Sequence, residues 1–478
     1  MSARGFDVGA GSLTGAEVGV GPAFDNAGVE TSGGGVMATV VLRSPLRDLA
    51  GGRSSVEVDG GSVGEVLGRL EGEYPRLVGW VRDEHGHIRE HVNVFLNGER
   101  AAAGQAVSPG DQLHVIPAIS GGAGSEAEVL AGTHKGLFVL RGERGGPMDV
   151  VSRQFAGVNV EFAVRDPRTG TYYASVTDGQ YGPRVYLTDD PTGEWEMSDG
   201  PAFPEDAEES VVRTWFVQPG EEVGVVWAGV APAALFRSED GGRHWELNRA
   251  LWNDPTRPKW NPGAGGLAMH SIAPWPGDPD RLAVGVSAAG VWITEDRGES
   301  WHRGVKGITA PYIPADAVDP LDLCVHNMHR SPVEPDTMYM QFHGGVFRSD
   351  DAGETWNDIA DGLPSNFGFP MVAHPSDPDR AYVIPLVADR DRVTPDGAVR
   401  VYETADRGAT WTALTEGLPQ ENAYLTILRQ AFGHDGGDPL GLYFGAESGE
   451  VFGSADVGAT WRLVAYHLPP IYSIRASA

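Results

Sequence analysis

The stretch Ser238-Glu239-Asp240-Gly241-Gly242-Arg243-His244-Trp245 decides the fold, because it recurs. Its form, Ser/Thr-x-Asp-x-Gly-x-(Thr/Ser/His)-Trp, returns with Asp296 and Trp301, Asp351 and Trp356, Asp406 and Trp411, and Asp456 and Trp461. A degenerate copy holds Thr188, Asp190 and Trp195. Each copy follows an aromatic residue on a β-patterned run: Tyr186, Phe236, Trp292, Phe347, Tyr402 and Phe452. Phe138 fills the same place with no Asp motif behind it, which makes seven repeats at intervals of 48 to 56 residues. Repeats of this length built from short strands predict a seven-bladed β-propeller, four strands to a blade.

The motif reads as structural. Asp190, Asp240, Asp296, Asp351, Asp406 and Asp456 are expected to accept backbone N–H groups in a tight turn, with Gly at a φ > 0 position and Trp packed between blades. Innermost strands are expected at 162–165, 214–217, 270–273, 325–328, 370–373, 425–428 and 471–475. The first repeat lacks an inner strand of its own. The C-terminal strand is therefore expected to complete the first blade, since an open ring exposes two sheet edges.

Working outward, residues 123–127 read as a linker and 128–478 as the propeller. Residues 1–36 are rich in Gly, Ala and Ser and read as a disordered tail, with Met37 as a candidate true start. Residues 37–122 form a second unit. Strands are expected at 38–43, 55–58, 91–96 and 112–116 from their alternating apolar positions. Ser62 and Glu65 fit a capping box, opening a helix that places Val63, Val66, Leu67 and Leu70 on one face. Asn97-Gly98 signals a hairpin. The order ββαββ with a glycine tail, Gly121-Gly122, describes an α+β β-grasp of ubiquitin type, so the whole chain is mainly β.

The run Val92-Asn93-Val94-Phe95-Leu96-Asn97-Gly98, then Val107-Ser108-Pro109-Gly110-Asp111, Val115-Ile116-Pro117-Ala118 and Gly121-Gly122, resembles the MoaD/ThiS sulfur carriers over about 85 residues. That family includes the small subunit of molybdopterin synthase and the carriers for thiamine and cysteine synthesis. The resemblance implies that an adenylating enzyme activates the terminal glycine carboxylate and that sulfur then replaces an oxygen, giving a thiocarboxylate. Here Gly122 is amide-bonded to Ala123, and an amide cannot be adenylated. Carrier activity therefore requires a processing protease that cuts after Gly122; otherwise the segment is passive.

The repeats resemble the Asp-box, or BNR, motif of sialidases and other propellers. The run Gly132–Phe138 and the ending Leu468–Ala476 are similar to a family of bacterial Asp-box proteins without assigned chemistry. Sialidase activity itself is disfavoured, since the sequence lacks an early Arg-Ile-Pro motif and sialidases have six blades.

Residues at inner-strand starts are expected to face the channel: Glu161, Arg213, Trp215, His270, His326, His329, Glu421 and Tyr472. The aromatic, polar stretch Trp252–Gly266 is placed over one face. His270, His326 and His343 are candidate metal ligands, set against a water-filled polar channel with no cofactor. Cys324 and His326 are expected about 7 Å apart, too far for a nucleophile–base pair.

The net charge of −30 argues against nucleic acid and anionic membranes as partners. One cysteine suits a reducing cytoplasm. Three functions stay open: a carrier fused to a propeller that offers a face for protein partners; a channel enzyme, a sialidase-like glycoside hydrolase or lyase, with a docking β-grasp; and a non-catalytic interaction protein.

Overall fold

The computed structural model describes residues 37–42, 46, 50, 53, 55–78, 81–82, 86–89, 92–97, 99–117, 126–261, 266–311, 313 and 319–478. The expected tail at 1–36 and the glycines Gly121 and Gly122 lie outside the described residues. The chain forms two compact units, Met1–Gly122 and Ala123–Ala478.

In the first unit, strands β1 (Met37–Leu42), β2 (Ser55–Asp59), β3 (Val92–Leu96), β4 (Glu99–Arg100) and β5 (Gln112–Pro117) form one sheet in the order β2-β1-β5-β3-β4. The central pair β1 and β5 is parallel and its neighbours are antiparallel, as in a β-grasp. Helix α1 (Val63–Glu73) buries Val63, Val66, Leu67 and Leu70 against this sheet's core. Ser62 Oγ accepts from the Glu65 N–H, and the Glu65 carboxylate reaches back to the Gly61 N–H at 2.9 Å, one residue earlier than a standard capping box. Asn97 takes φ 51° between β3 and β4, and its side chain bonds both Asp111 and the Gln112 N–H, tying the hairpin to β5.

Among the described residues, the second unit contains seven four-stranded antiparallel sheets. Their innermost strands are Asn159–Arg165, Arg213–Pro219, Met269–Trp275, Val325–Arg330, Gly368–Ala373, Phe432–His434 and Ile471–Ser477. Each touches the next in that order, and the last touches the first. Ile471–Ser477 also pairs with Glu126–Thr133, so the two ends of the unit share one sheet. That strand starts at Glu126, two residues inside the expected linker. The sixth inner strand is Phe432–His434; the predicted strand at 425–428 is irregular, because those residues cross toward the middle of the ring.

The repeated turn is built alike five times. In the third of these the Ser349 hydroxyl donates to Asp351 Oδ1 at 2.8 Å and accepts the Gly353 N–H at 2.9 Å, while Asp351 Oδ1 accepts the Thr355 N–H at 2.8 Å. The residue before the glycine is also left-handed, at Arg297, Ala352, Arg407 and Val457, so two successive positions take positive φ. The aspartate's hydrogen bonds hold a non-glycine residue in this disfavoured region. Several tryptophans then reach an adjacent sheet: Trp356 Nε1 donates to Gly304 O at 3.0 Å and Trp411 Nε1 to Ile359 O at 2.6 Å. Trp356 is 1% exposed.

Trp356→Ala should therefore cost about 3–5 kcal/mol, the usual toll of emptying a buried indole site. Trp245→Ala, at a half-buried copy, should cost clearly less. Urea unfolding followed by fluorescence checks both; equal losses would contradict the packing role assigned to Trp356.

Candidate functional site

The side chains at the centre of the second unit are placed by β-bulges. In six of the seven inner strands the register slips against the neighbouring strand, and one residue, or two in one strand, is left unpaired. The extra residue is Glu161, Trp215, His270, His326 and Tyr472 in five strands, and Phe369-Pro370 in a sixth. A bulge bends the strand and re-aims the extra side chain. The residues that sequence periodicity placed at strand starts are thus, in five cases, bulge residues. The short sixth inner strand, Phe432–His434, has no bulge.

In its place Arg429-Gln430 crosses the ring. Gln430 Nε2 donates to His270 O at 3.0 Å, Asn327 Nδ2 donates to Arg429 O at 2.8 Å, and Arg475 Nη1 donates to Gln430 O at 3.0 Å. This crossing segment, the plug, ties three inner strands together. Glu421, predicted to face the channel, is exposed and belongs to the loop leading into the plug.

Beside the plug lies a cavity of about 240 Å³ lined by Glu161, Arg213, Trp215, Arg392, Arg429, Glu447 and Tyr472. Glu161 is 5% exposed, and neither carboxylate oxygen accepts a hydrogen bond among the described residues. Arg213 Nε stands 3.4 Å from Oε1 without hydrogen-bonding alignment. Burial raises the Glu161 carboxyl to about 7, against the opposing pull of Arg213. Burial also raises Glu447 and Tyr472 and brings Arg429 down to about 10. Arg429 stacks over Phe369 at 4.6 Å, and its Nε has no partner among the described residues. Tyr472 OH lies 2.8 Å from His134 Nδ1. A site with three guanidiniums and a carboxyl that titrates near neutrality can hold an anion and move a proton.

A neighbouring cavity of about 500 Å³ shares Arg213 and Trp215 and is walled by Trp260 and Gly266, which is where part of the 252–266 stretch sits; residues 262–265 lie outside the described residues. His329 is elsewhere, in a separate cavity of about 540 Å³ with His434 and Arg475. His270 is 1% exposed and does not join His326 and His343, which stand 3.3 Å apart. Cys324 does join them: its sulfur and one nitrogen of each ring lie within 4.8 Å of one another, correcting the expected 7 Å separation. Arg392, Arg429 and Glu447 were not foreseen. They sit on irregular segments, where no strand period marks a side chain as inward-facing.

The ThiS family matches residues 40–122. Small archaeal modifier protein 1 of Haloferax volcanii is 42% identical over 83 residues, covering 17% of this chain and 95% of that protein. The chain belongs to the ThiS family. Its ThiS segment is a ubiquitin-like sulfur-carrier domain homologous also to sulfur carrier protein CysO of Mycobacterium tuberculosis, at 32% identity over 90 residues, 18% of this chain and 97% of that one. A crystal structure of an ancestral GH74 enzyme aligns with a TM-score of 0.45 at 17% identity, over 71% of this chain and 40% of that enzyme's chain.

The Glu161 carboxyl binds its proton more tightly folded than unfolded. Its contribution is thus unfavourable once pH exceeds the unfolded value, and stability should fall as pH rises from about 4.5 to about 7, by up to about 3 kcal/mol. Glu161→Gln should remove this slope, gaining on wild type at pH 8 and not at pH 5 in urea unfolding. Parallel pH profiles would show that Glu161 is not a buried, uncompensated acid.

Proposed function

We propose that this protein is a sulfur carrier delivered as a fusion. A protease cuts after Gly122, an adenylating enzyme activates the freed glycine carboxylate, and sulfur replaces an oxygen to give a thiocarboxylate. The observation that carries this reading is that the family match runs to residue 122, so that it ends on the Gly-Gly pair. Glycines without Cβ atoms suit a tail that must extend through a narrow enzyme site. The first propeller strand begins at Glu126, so a cut at 122 leaves that strand whole. In the same proposal the seven sheets are the blades of an Asp-box propeller, closed by the C-terminal strand and offering a face to protein partners. The protein works in the cytoplasm; no described helix is long and apolar enough to cross a membrane.

The intact mass of the protein isolated from its own host tests this. A fragment ending at Gly122, with the mass gain of one sulfur replacing one oxygen, is the expected product. Only uncut chain, under conditions where the sulfur pathway is active, would overturn the carrier reading.

A second reading rests on Glu161. Its raised carboxyl, facing arginines across a cavity, suits a general acid acting on an anionic glycoside. Release of nitrophenol from nitrophenyl glycosides of carboxylated sugars is the assay. Glu161→Gln should lower kcat by a factor of about 100 to 10,000. A wild-type chain that turns over none of the panel removes this reading.

A further inference from the structure

The hairpin that carries His326 ends in two more side chains able to ligate a metal. Cys324 lies one residue ahead of strand Val325–Arg330, and His343 one residue after strand Met338–Phe342. The backbone closes between them, the His343 N–H donating to Cys324 O at 3.0 Å. The bulge at His326 brings the second imidazole to the same spot. Sγ of Cys324 and one nitrogen of each ring then lie within 4.8 Å of one another.

Two details of the geometry fit an ion. His326 Nδ1 is 2.6 Å from Gly368 O, so this nitrogen carries the proton and donates to the carbonyl. Nε2 is left with its lone pair directed at the cluster, the arrangement in which an outer hydrogen bond orients a ligating imidazole. His326 Nε2 and His343 Nδ1 are 3.3 Å apart. Two nitrogens bound to one tetrahedral zinc, at about 2.0–2.1 Å each, are separated by about 3.3–3.4 Å. An N–H···N hydrogen bond also gives this distance, but it does not call for a thiol at the third corner.

We propose that Cys324, His326 and His343 bind a zinc-type divalent cation through one thiolate and two neutral imidazoles, with the fourth position open to water or an anion. The donor set is soft enough to select zinc over magnesium or calcium. As the sulfur–metal bond forms, the Cys324 proton leaves to solvent. Cys324 and His343 are only half-buried, which gives the ion a way in. Three protein ligands and one open position describe a reactive metal site, not a closed structural one. Phe369 connects it to the arginines: its ring packs on His326 at 4.7 Å and under Arg429 at 4.6 Å. The same Arg429 lines the Glu161 cavity, so an anion drawn to the arginines is brought near the metal's open position.

Cobalt(II) added to the untagged full-length chain provides the test. One cobalt per chain is expected, with a thiolate-to-cobalt charge-transfer band and the strong visible absorption of tetrahedral cobalt. Cys324→Ser should abolish the charge-transfer band, and both Cys324→Ser and His343→Ala should weaken binding at least about tenfold. His302→Ala, at an exposed histidine paired with Glu354, should change nothing. Failure to bind, binding without the thiolate band, or undiminished binding by Cys324→Ser would overturn the proposal. If either cluster variant fails to fold, wild-type alkylation decides: zinc should protect Cys324 from iodoacetamide, and unprotected alkylation in saturating zinc would refute the site.

Discussion

The interior of the second unit depends on one constraint: an inner strand must pair along its length and still turn a side chain toward the middle of the ring. A regular strand cannot do both at one residue, because successive side chains alternate between faces that are already packed against neighbouring sheets. A bulge resolves the conflict by leaving one residue out of the ladder. Glu161, Trp215, His270, His326 and Tyr472 all occupy such positions. What surrounds the axis is therefore set by the unpaired residues, and those can vary with little effect on the ladder.

The sixth inner strand shows what happens where no bulge is made. It is three residues long, and the segment ahead of it enters the centre instead. Arg429 brings a guanidinium into a place with little water, and its burial weakens its hold on a proton. Glu161 shares the cavity with it and is likewise lifted toward its neutral form. Burial disfavours the charged form of each. Buried groups left in this state are costly to stability and are characteristic of sites that bind a ligand or exchange a proton.

Sequence reading reached the repeats because their signal is local: an aspartate that accepts N–H groups two to four residues on must be followed by glycine and tryptophan at fixed spacing. The β-grasp was legible for a similar reason, since the apolar face of α1 and the Ser62 cap lie within a dozen residues. Six of the seven inner strands were found. The one missed, placed at 425–428 instead of Phe432–His434, was mistaken because Leu425, Ile427 and Leu428 are apolar and yet serve the irregular approach to the plug. Arg392 and Glu447 were invisible because their inward position follows from chain crossings that no residue pattern encodes. The side-chain atoms of Cys324 and His326 come closer than a regular strand would bring them, because the bulge turns His326 toward the end of the hairpin.

Severing the chain between the two units would leave the described core and ladders of each in place. Among the described residues, the first core draws on residues between Ala38 and Val115, and the clusters of the second begin at Ala127. The described cores therefore lie on opposite sides of the peptide bond after Gly122 in sequence. The strand Glu126–Thr133 is paired on both sides, with Gly136–Glu143 and with Ile471–Ser477. A cut after Gly122 breaks none of the described ladder bonds, whereas a cut inside either unit's sheet would break some. Among the described residues, a free carboxylate at Gly122 would leave the strand pairing of the second unit as it was.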